Sequence, residues 1–224
     1  MKKSFLLFCT IFFLIGAVSA QRSTTSSNFK GGLRVGFTTS QISADNLSGF
    51  HQYGACAGAF VNFPLTDNLR WKLQLEMDFT MKGSHSYVSA RQQMQAGNPS
   101  YGKYALNLGY IEVPALFKWN FGQNLTIKGK HVLDDLELEF GPMFGVNLYQ
   151  REKDMYGVIP GRPQFKRFEL SAMAGLAAMF KEHHGISLRY SNSVLPVRNP
   201  DWQVNGYTKL QFNSVLMLSY YYQF

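Results

Sequence analysis

The chain has 224 residues, a formal net charge of +8 and 46% hydrophobic residues, yet its mean hydropathy is only -0.15. Beyond the N-terminal segment, no stretch approaches the roughly 18 consecutive apolar residues of a transmembrane helix, which excludes a helical membrane protein. The positive charge alone is compatible with nucleic acid, with anionic lipid or with no specific partner.

Residues 1–20 have the features of a secretory signal peptide. Two lysines precede an apolar stretch, residues 5–18, and the segment ends on a small-residue Val-Ser-Ala cleavage site. The next residue is Gln21 rather than a cysteine, so a lipid anchor is not expected. We therefore predict export, with residues 21–224 forming one outer-membrane β-barrel domain, and export argues against nucleic acid as a partner.

Predicted strands follow one another to the last residue, because apolar and polar residues alternate with a period of two. In residues 71–82 every second residue is apolar, from Trp71 to Met81, and the residues between them are polar. A similar alternation closes the chain in residues 209–224. Six weaker runs complete a predicted set of eight strands: residues 29–39, 53–63, 104–119, 136–150, 168–180 and 185–193.

Long and short connections alternate between these predicted strands. An even number of antiparallel strands joined in this way is typical of bacterial membrane barrels, whose short turns lie in the periplasm. We therefore predict an all-β, eight-stranded antiparallel up-and-down transmembrane barrel in the outer membrane, with both mature termini periplasmic. The long connections are residues 40–52, 83–103, 151–167 and 194–206; the short ones are 64–70 and 181–184, and 120–135 is intermediate.

The strands of a soluble β-sandwich also alternate apolar and polar residues, so the positions of the aromatic residues are used to distinguish a sandwich from a membrane barrel. They gather at both ends of the predicted strands, as in the aromatic girdles of membrane barrels, and the chain finishes on Phe224 after an aromatic strand. That ending resembles the C-terminal signal read by the outer-membrane assembly machinery. In such a barrel the apolar rows face lipid and the polar rows face the lumen.

The polar rows carry both charge signs into a lumen that eight strands make just wide enough for side chains to fill. Two interpretations are open, an ion or proton path and a salt-bridged plug, and the narrow, poorly hydrated interior favours the plug. The predicted lumen network consists of Arg34, Lys72, Glu76, Asp78, Glu137, Glu139, Glu169, Arg189 and Lys209, and the same rows contain Lys30, Lys82 and Glu112.

Two prolines fall inside predicted strands, where each removes a backbone donor from the sheet. Pro114 and Pro142 lie at similar distances from the same predicted turn, hence at similar height on neighbouring strands. We predict a bulge or a local break in that seam. Two independent bulges without a shared purpose are the alternative.

The connection 151–167 is rich in basic residues. Arg162, Lys166 and Arg167 are candidate contacts for lipopolysaccharide phosphates at the outer leaflet. A solvated loop that tolerates basic residues is the alternative and is favoured.

Neither catalysis nor a cofactor is indicated by the sequence. His51 and His85 each have a serine nearby in a predicted outer loop, but their spacing is not distinctive. No histidine pair has the spacing of a metal site. We therefore predict no catalytic residue, no metal and no cofactor.

Several stretches resemble the PorT family of small outer-membrane barrels from Bacteroidetes. The most specific is Tyr-Ile-Glu-Val-Pro at residues 110–114, and residues 31–36, 40–42, 79–84, 104–119 and 219–224 also fit. The resemblance implies an eight-stranded up-and-down barrel and, for the founding member, a role in the type IX secretion system. It supplies no catalytic motif.

Three functions remain open at this point. The first is a non-enzymatic outer-membrane barrel that assists protein secretion or envelope organisation, with secretion-system or other envelope proteins as partners beside membrane lipid and lipopolysaccharide. The second is a surface adhesin that acts through its extracellular loops. The third is an outer-membrane lipid-modifying enzyme.

Overall fold

The computed structural model describes residues 29–43, 49–86, 90–95, 97, 102–127, 130–158, 165–180, 182–199 and 210–224. The predicted signal peptide lies outside these residues. Within the described part of the chain, no helix has the length and apolar character needed to cross a membrane.

Nine strands and one short helix make up the described structure. The strands are β1 (Lys30–Ser43), β2 (Gln52–Pro64), β3 (Trp71–His85), β4 (Ala105–Ile127), β5 (Lys130–Asp154), β6 (Gly157–Val158), β7 (Phe168–Phe180), β8 (His184–Ser193) and β9 (Phe212–Gln223); helix α1 (Ala90–Gln95) lies between β3 and β4.

Eight of these strands close into a ring. Each pairs antiparallel with the next along the chain, and β9 returns to pair with β1 over Gly32–Ser43, so the sheet has no free edge there. The two-residue strand β6 stands outside the ring and pairs only with the end of β5. The predicted eight-stranded antiparallel up-and-down barrel is confirmed.

The inside of the barrel is polar and the outside is apolar, the reverse of a soluble domain. On β3, Glu76 and Asp78 are almost fully buried, whereas Leu75 and Met77, which alternate with them, are 40% and 44% exposed. Successive side chains of a strand point to opposite faces, so the period of two in the sequence assigns one row to the lumen and one to lipid.

The two ends of the barrel differ. At one end, which we call the turn end, lie the connections β2–β3, β4–β5 and β7–β8 and the last residue, Phe224, whose amide N–H donates to the carbonyl of Gly31 at 2.8 Å. At the other, the loop end, lie the connections β1–β2, β3–β4, β5–β7 and β8–β9.

The connection expected at residues 120–135 is mostly strand. β4 continues to Ile127 and β5 begins at Lys130, so this hairpin extends past the last pair of β4 with β3, which is Trp119 with Trp71. Gly122 and Asn124 are residue types that are common in turns. The ladder accommodates them through register shifts on either side, between Asn120 and Gly122 and between Leu125 and Thr126, as β-bulges do.

Candidate functional site

A chain of alternating acidic and basic side chains crosses the interior of the barrel. It begins at the turn end with Asp135 and ends near mid-barrel with Asp78, and it draws on β1, β3, β4, β5 and β8. Arg34 contacts Glu76 directly, and the other nitrogen–oxygen distances run from 2.5 to 3.2 Å. This ion-pair chain consists, in order, of Asp135, Lys72, Glu137, Lys118, Glu139, Arg189, Glu76, Arg34 and Asp78.

Small residues on neighbouring strands make room for the chain. Gly58 on β2 is the cross-strand partner of both Arg34 and Asp78. A Cβ atom at Gly58 would lie 2.0 Å from Asp78 Oδ1, so only glycine leaves the space in which this carboxylate reaches Arg34.

A second group of charges lies closer to the loop end. Lys82 Nζ lies 2.5 Å from Glu112 Oε1 and 2.8 Å from Glu169 Oε1. Glu169 also accepts hydrogen bonds from the Ser171 hydroxyl and the Asn213 amide, at 2.7 and 2.6 Å. We call Lys82, Glu112 and Glu169 the loop-end triad.

An apolar cap covers the lumen beyond this triad. Ile42, Leu106 and Leu108 from the barrel wall pack against Phe165 and Val197, which belong to the connections β5–β7 and β8–β9. We call these five residues the loop-end cap.

Polar contacts hold the two connections of the cap together. The Lys166 N–H donates to the carbonyl of Val197 at 2.7 Å. Arg198 lies 4.8 Å from the centre of the Phe165 ring and pairs with Glu152 at 3.1 Å.

The lumen therefore contains paired charges from the turn end to the loop-end triad, and apolar side chains close it at the loop end. Each of the cations Arg34, Lys72, Lys82, Lys118 and Arg189 bridges two carboxylates. Breaking such a buried pair leaves an uncompensated charge, so these ion pairs link six strands of the barrel, β1, β3, β4, β5, β7 and β8. This arrangement fits a plug better than a water-filled path.

Most of the predicted lumen residues fall in these groups. Eight are in the ion-pair chain or the triad: Arg34, Lys72, Glu76, Asp78, Glu137, Glu139, Glu169 and Arg189. Lys209 lies outside the described residues. Lys30, the cross-strand partner of the buried Asn62, is exposed at the turn-end rim.

Two members of the ion-pair chain were not predicted as lumen residues. Asp135, which pairs with Lys72 at 3.2 Å, was expected in the connection 120–135. Lys118 bridges Glu137 and Glu139 at 2.6 and 2.9 Å. Lys118 stands between Phe117 and Trp119 in an apolar run. Its position in the lumen could have been predicted from the period of two, because Lys118 lies in the same alternate row as Glu112.

Pro114 and Pro142 lie beside a gap in the β4–β5 ladder. Within these described strands, Pro114 pairs with Met143 and the next pair is Phe117 with Phe140, in the same register. On its other side Pro142 belongs to an unbroken ladder with β7. The seam therefore has a gap without a bulge at the prolines, and the register shifts of this hairpin fall elsewhere, the nearest being at Gly109/Tyr110 and Asn120/Gly122.

Two of the candidate lipopolysaccharide contacts are described, and both are exposed at the loop end. Their backbones are fixed, because the carbonyl of Arg167 accepts from the Asn147 N–H at 2.8 Å and Lys166 donates to Val197. The third, Arg162, lies outside the described residues. The structure thus presents two basic side chains at the rim beside the cap.

Histidine and acidic residues do not assemble into a recognised catalytic or metal-binding arrangement in the described ranges. They contain no group of three or more His, Cys, Asp or Glu able to hold a metal ion. His85 Nδ1 lies 2.7 Å from the carbonyl oxygen of Ser86, its chain neighbour.

Comparison with known proteins gives a family match over most of the chain. The model of the family described as "Outer membrane protein beta-barrel domain" matches residues 19–197. No curated protein matches the chain.

Three solved structures are similar at low sequence identity. Ail, the attachment invasion locus protein of Yersinia pestis, in complex with the heparin analogue sucrose octasulfate, is 14% identical, with 88% of this chain and 99% of that chain covered and a TM-score of 0.45. Neisserial surface protein A is 12% identical, with 88% and 97% covered and a TM-score of 0.48. OprG of Pseudomonas aeruginosa is 12% identical, with 87% and 95% covered and a TM-score of 0.45.

Proposed function

The chain belongs to the outer membrane protein beta-barrel domain family, and from this premise we propose that it is a sealed, non-enzymatic barrel that assists protein secretion or envelope organisation. The observation that carries the proposal is the filled lumen. Arg189, 2% exposed, joins Glu76 to Glu139 across the interior, and Phe165 and Val197 close the loop end. A barrel filled in this way acts through its surface and its partners.

The orientation is part of the proposal. Short turns and both chain ends lie at one end of membrane barrels, on the periplasmic side. The turn end of this barrel, which holds Phe224 and the start of β1, then faces the periplasm. The loop end, with Lys166 and Arg167 exposed, faces outward.

Type IX secretion is the most specific version of the function. It is supported by the resemblance of residues 110–114 and 219–224 to the PorT family. In the described structure, residues 110–114 supply Tyr110 and Glu112 to the region around Lys82, so the segment that resembles the family most also packs the lumen.

Deletion of the gene, followed by a survey of secreted proteins, tests this function. Loss of a defined set of secreted proteins, restored by the wild-type gene, is expected. A normal secretome contradicts the secretion role, and a normal secretome with lost surface attachment would favour an adhesin instead. A strain lacking an unrelated small outer-membrane barrel controls for general envelope damage.

Lipopolysaccharide is the lipid partner that we propose for the loop end. Arg162, Lys166 and Arg167 supply cations for its phosphates. Charge reversal at all three is expected to reduce lipopolysaccharide retained by the purified barrel, whereas Lys103→Glu, an exposed residue of the β3–β4 connection, serves as the control. Equal retention by the triple variant and the control would dismiss this contact.

A further inference from the structure

The ion-pair chain contains one more acidic side chain than basic ones. Its nine described members alternate in sign, so five carboxyl groups flank four cations and an acid stands at each end. The side chain of Asp135, at one end, is 22% exposed and can be solvated, whereas that of Asp78, at the other end, is 1% exposed. Because a buried carboxylate without a cation of its own is costly, the excess charge is a problem at Asp78.

Asp78 shares its one cation with Glu76. Arg34 Nη1 contacts Glu76 Oε2 directly and lies 3.2 Å from Asp78 Oδ2, so both carboxyl groups bind the same nitrogen atom. Glu76 has two further donors, Arg189 Nη1 at 2.7 Å and the side-chain amide of Gln74. Among the residues that the structure describes, no donor reaches the other oxygen of Asp78, Oδ1, which is buried. Three donors thus surround Glu76, while Asp78 has half a share of one.

The two carboxyl groups also contact each other. Glu76 and Asp78 stand two residues apart on β3, so their side chains point to the same face, and their carboxyl groups lie within hydrogen-bonding range of each other. Two carboxylates in contact repel each other strongly, and such a pair holds one proton between its members. The proton replaces the repulsion by a hydrogen bond.

The strands around the pair bring no further cation in the part of the chain that the structure describes. Gly58 of β2 has no side chain, and its backbone closes the space beside Asp78 Oδ1. On β9, Ser219 is uncharged and accepts a hydrogen bond from Arg34. The titratable and charged groups that face the pair are Arg34 of β1, Cys56 of β2, Glu112 of β4, Glu139 of β5 and Arg189 of β8. Both cations in this set are already members of the ion-pair chain.

We propose that Glu76 and Asp78 bind one proton between them inside the folded barrel, which makes the charges of the ion-pair chain balance. The proton comes from the solvent when the barrel folds, because both groups are ionised in the unfolded chain at neutral pH. The folded state then binds one proton more than the unfolded chain, so the stability of the barrel falls as the pH rises. This inference does not depend on the secretion role.

Infrared spectroscopy of the purified barrel in detergent tests the proton directly. A protonated carboxyl group has a carbonyl stretching band apart from the bands of carboxylates, so the folded wild-type protein is expected to show such a band at neutral pH. Asp78→Asn is expected to lose it. Asp135→Asn removes the solvated acid at the other end of the chain and is expected to keep it. A wild-type spectrum without the band overturns the proposal, and so does an equal band in Asp78→Asn.

Equilibrium unfolding at several pH values provides a second test. Above about pH 6 the carboxyl groups of the unfolded chain are ionised, so one extra proton in the folded state lowers the folding equilibrium constant by up to about tenfold for each pH unit. We expect this fall in the wild-type protein relative to Asp78→Asn, whose neutral amide needs no proton. At neutral pH Asp78→Asn is expected to be at least as stable as the wild type, whereas Glu139→Gln, which removes a carboxylate bound by Lys118 and Arg189, is expected to be less stable. A ratio between wild type and Asp78→Asn that stays constant with pH overturns the proposal.

Discussion

At the scale of single residues, the lumen depends on side chains whose partners come from distant parts of the sequence. Arg189 joins Glu76 to Glu139, which makes it the link between the two halves of the ion-pair chain. The sequence indicated which residues face the lumen, because alternation assigns them. It could not indicate which charges meet, because register between strands is not visible in a single strand, and Lys118 was missed since its neighbours are aromatic.

Arg189→Met tests the link. Removal of one partner of a buried pair leaves the other charge uncompensated, so this change is expected to lower the free energy of unfolding by about 3–5 kcal/mol. Equilibrium unfolding in guanidinium chloride measures it. Arg151→Met, at an exposed arginine of β5, is the control and is expected to change stability by less than about 0.5 kcal/mol. Equal stability of the two variants would show that the ion-pair chain contributes little.

Gly58 is a second residue on which the lumen depends, because the absence of a Cβ atom leaves room for the Asp78 carboxylate. Gly58→Val would drive a side chain into Asp78 and into the carbonyl of Met77, 2.3 Å from the new Cβ. We expect a loss of about 1–3 kcal/mol from this overpacking. Ala57→Val, one residue away on the exposed face, is the matched control, and the same unfolding assay compares them. If Gly58→Val is as stable as Ala57→Val, the strands around Gly58 can move apart to accommodate the new side chain, and the prediction is wrong.

At the scale of elements, the strands could be predicted and their ends could not. Residues 71–82 alternate without error and lie within β3. The β4–β5 hairpin extends further than expected because register shifts absorb Gly122 and Asn124, which otherwise indicate a turn. Phe165 and Val197 lie in connections, where no periodicity marks a buried residue, so the loop-end cap could not be predicted.

Phe165→Ala tests the cap. Loss of a buried phenylalanine removes about 3 kcal/mol of packing, enough to raise the open fraction of the cap about a hundredfold. Trypsin digestion of the folded barrel should then cleave faster after Lys166 and Arg167, which are exposed next to Phe165. Tyr156→Ala, at an 85% exposed residue of the same connection, is the control. Equal cleavage rates for both variants would mean that the cap is not closed by Phe165.

At the scale of the whole molecule, the inverted distribution of side chains explains why the barrel is a membrane protein and supports the proposal that its lumen is sealed. The outer surface is apolar, and family membership assigns the chain to outer-membrane barrels. The inner surface carries paired charges from five strands, with Lys82 and the cap above them. The alternation of apolar and polar residues predicts the barrel fold and the membrane location. It does not predict the partners, because they bind surfaces at the loop end and the turn end that lie outside the alternating strands.

The measurement that tests the sealed barrel most directly is a planar-bilayer recording of the purified wild-type protein. Because paired charges and the loop-end cap fill the lumen, insertion of the folded barrel is expected to produce no stable conductance step above the lipid background. Phe165→Ala is expected to remain silent, since the ion-pair chain stays in place below the cap. Large, stable and reproducible conductance steps from the wild-type protein would contradict a sealed lumen.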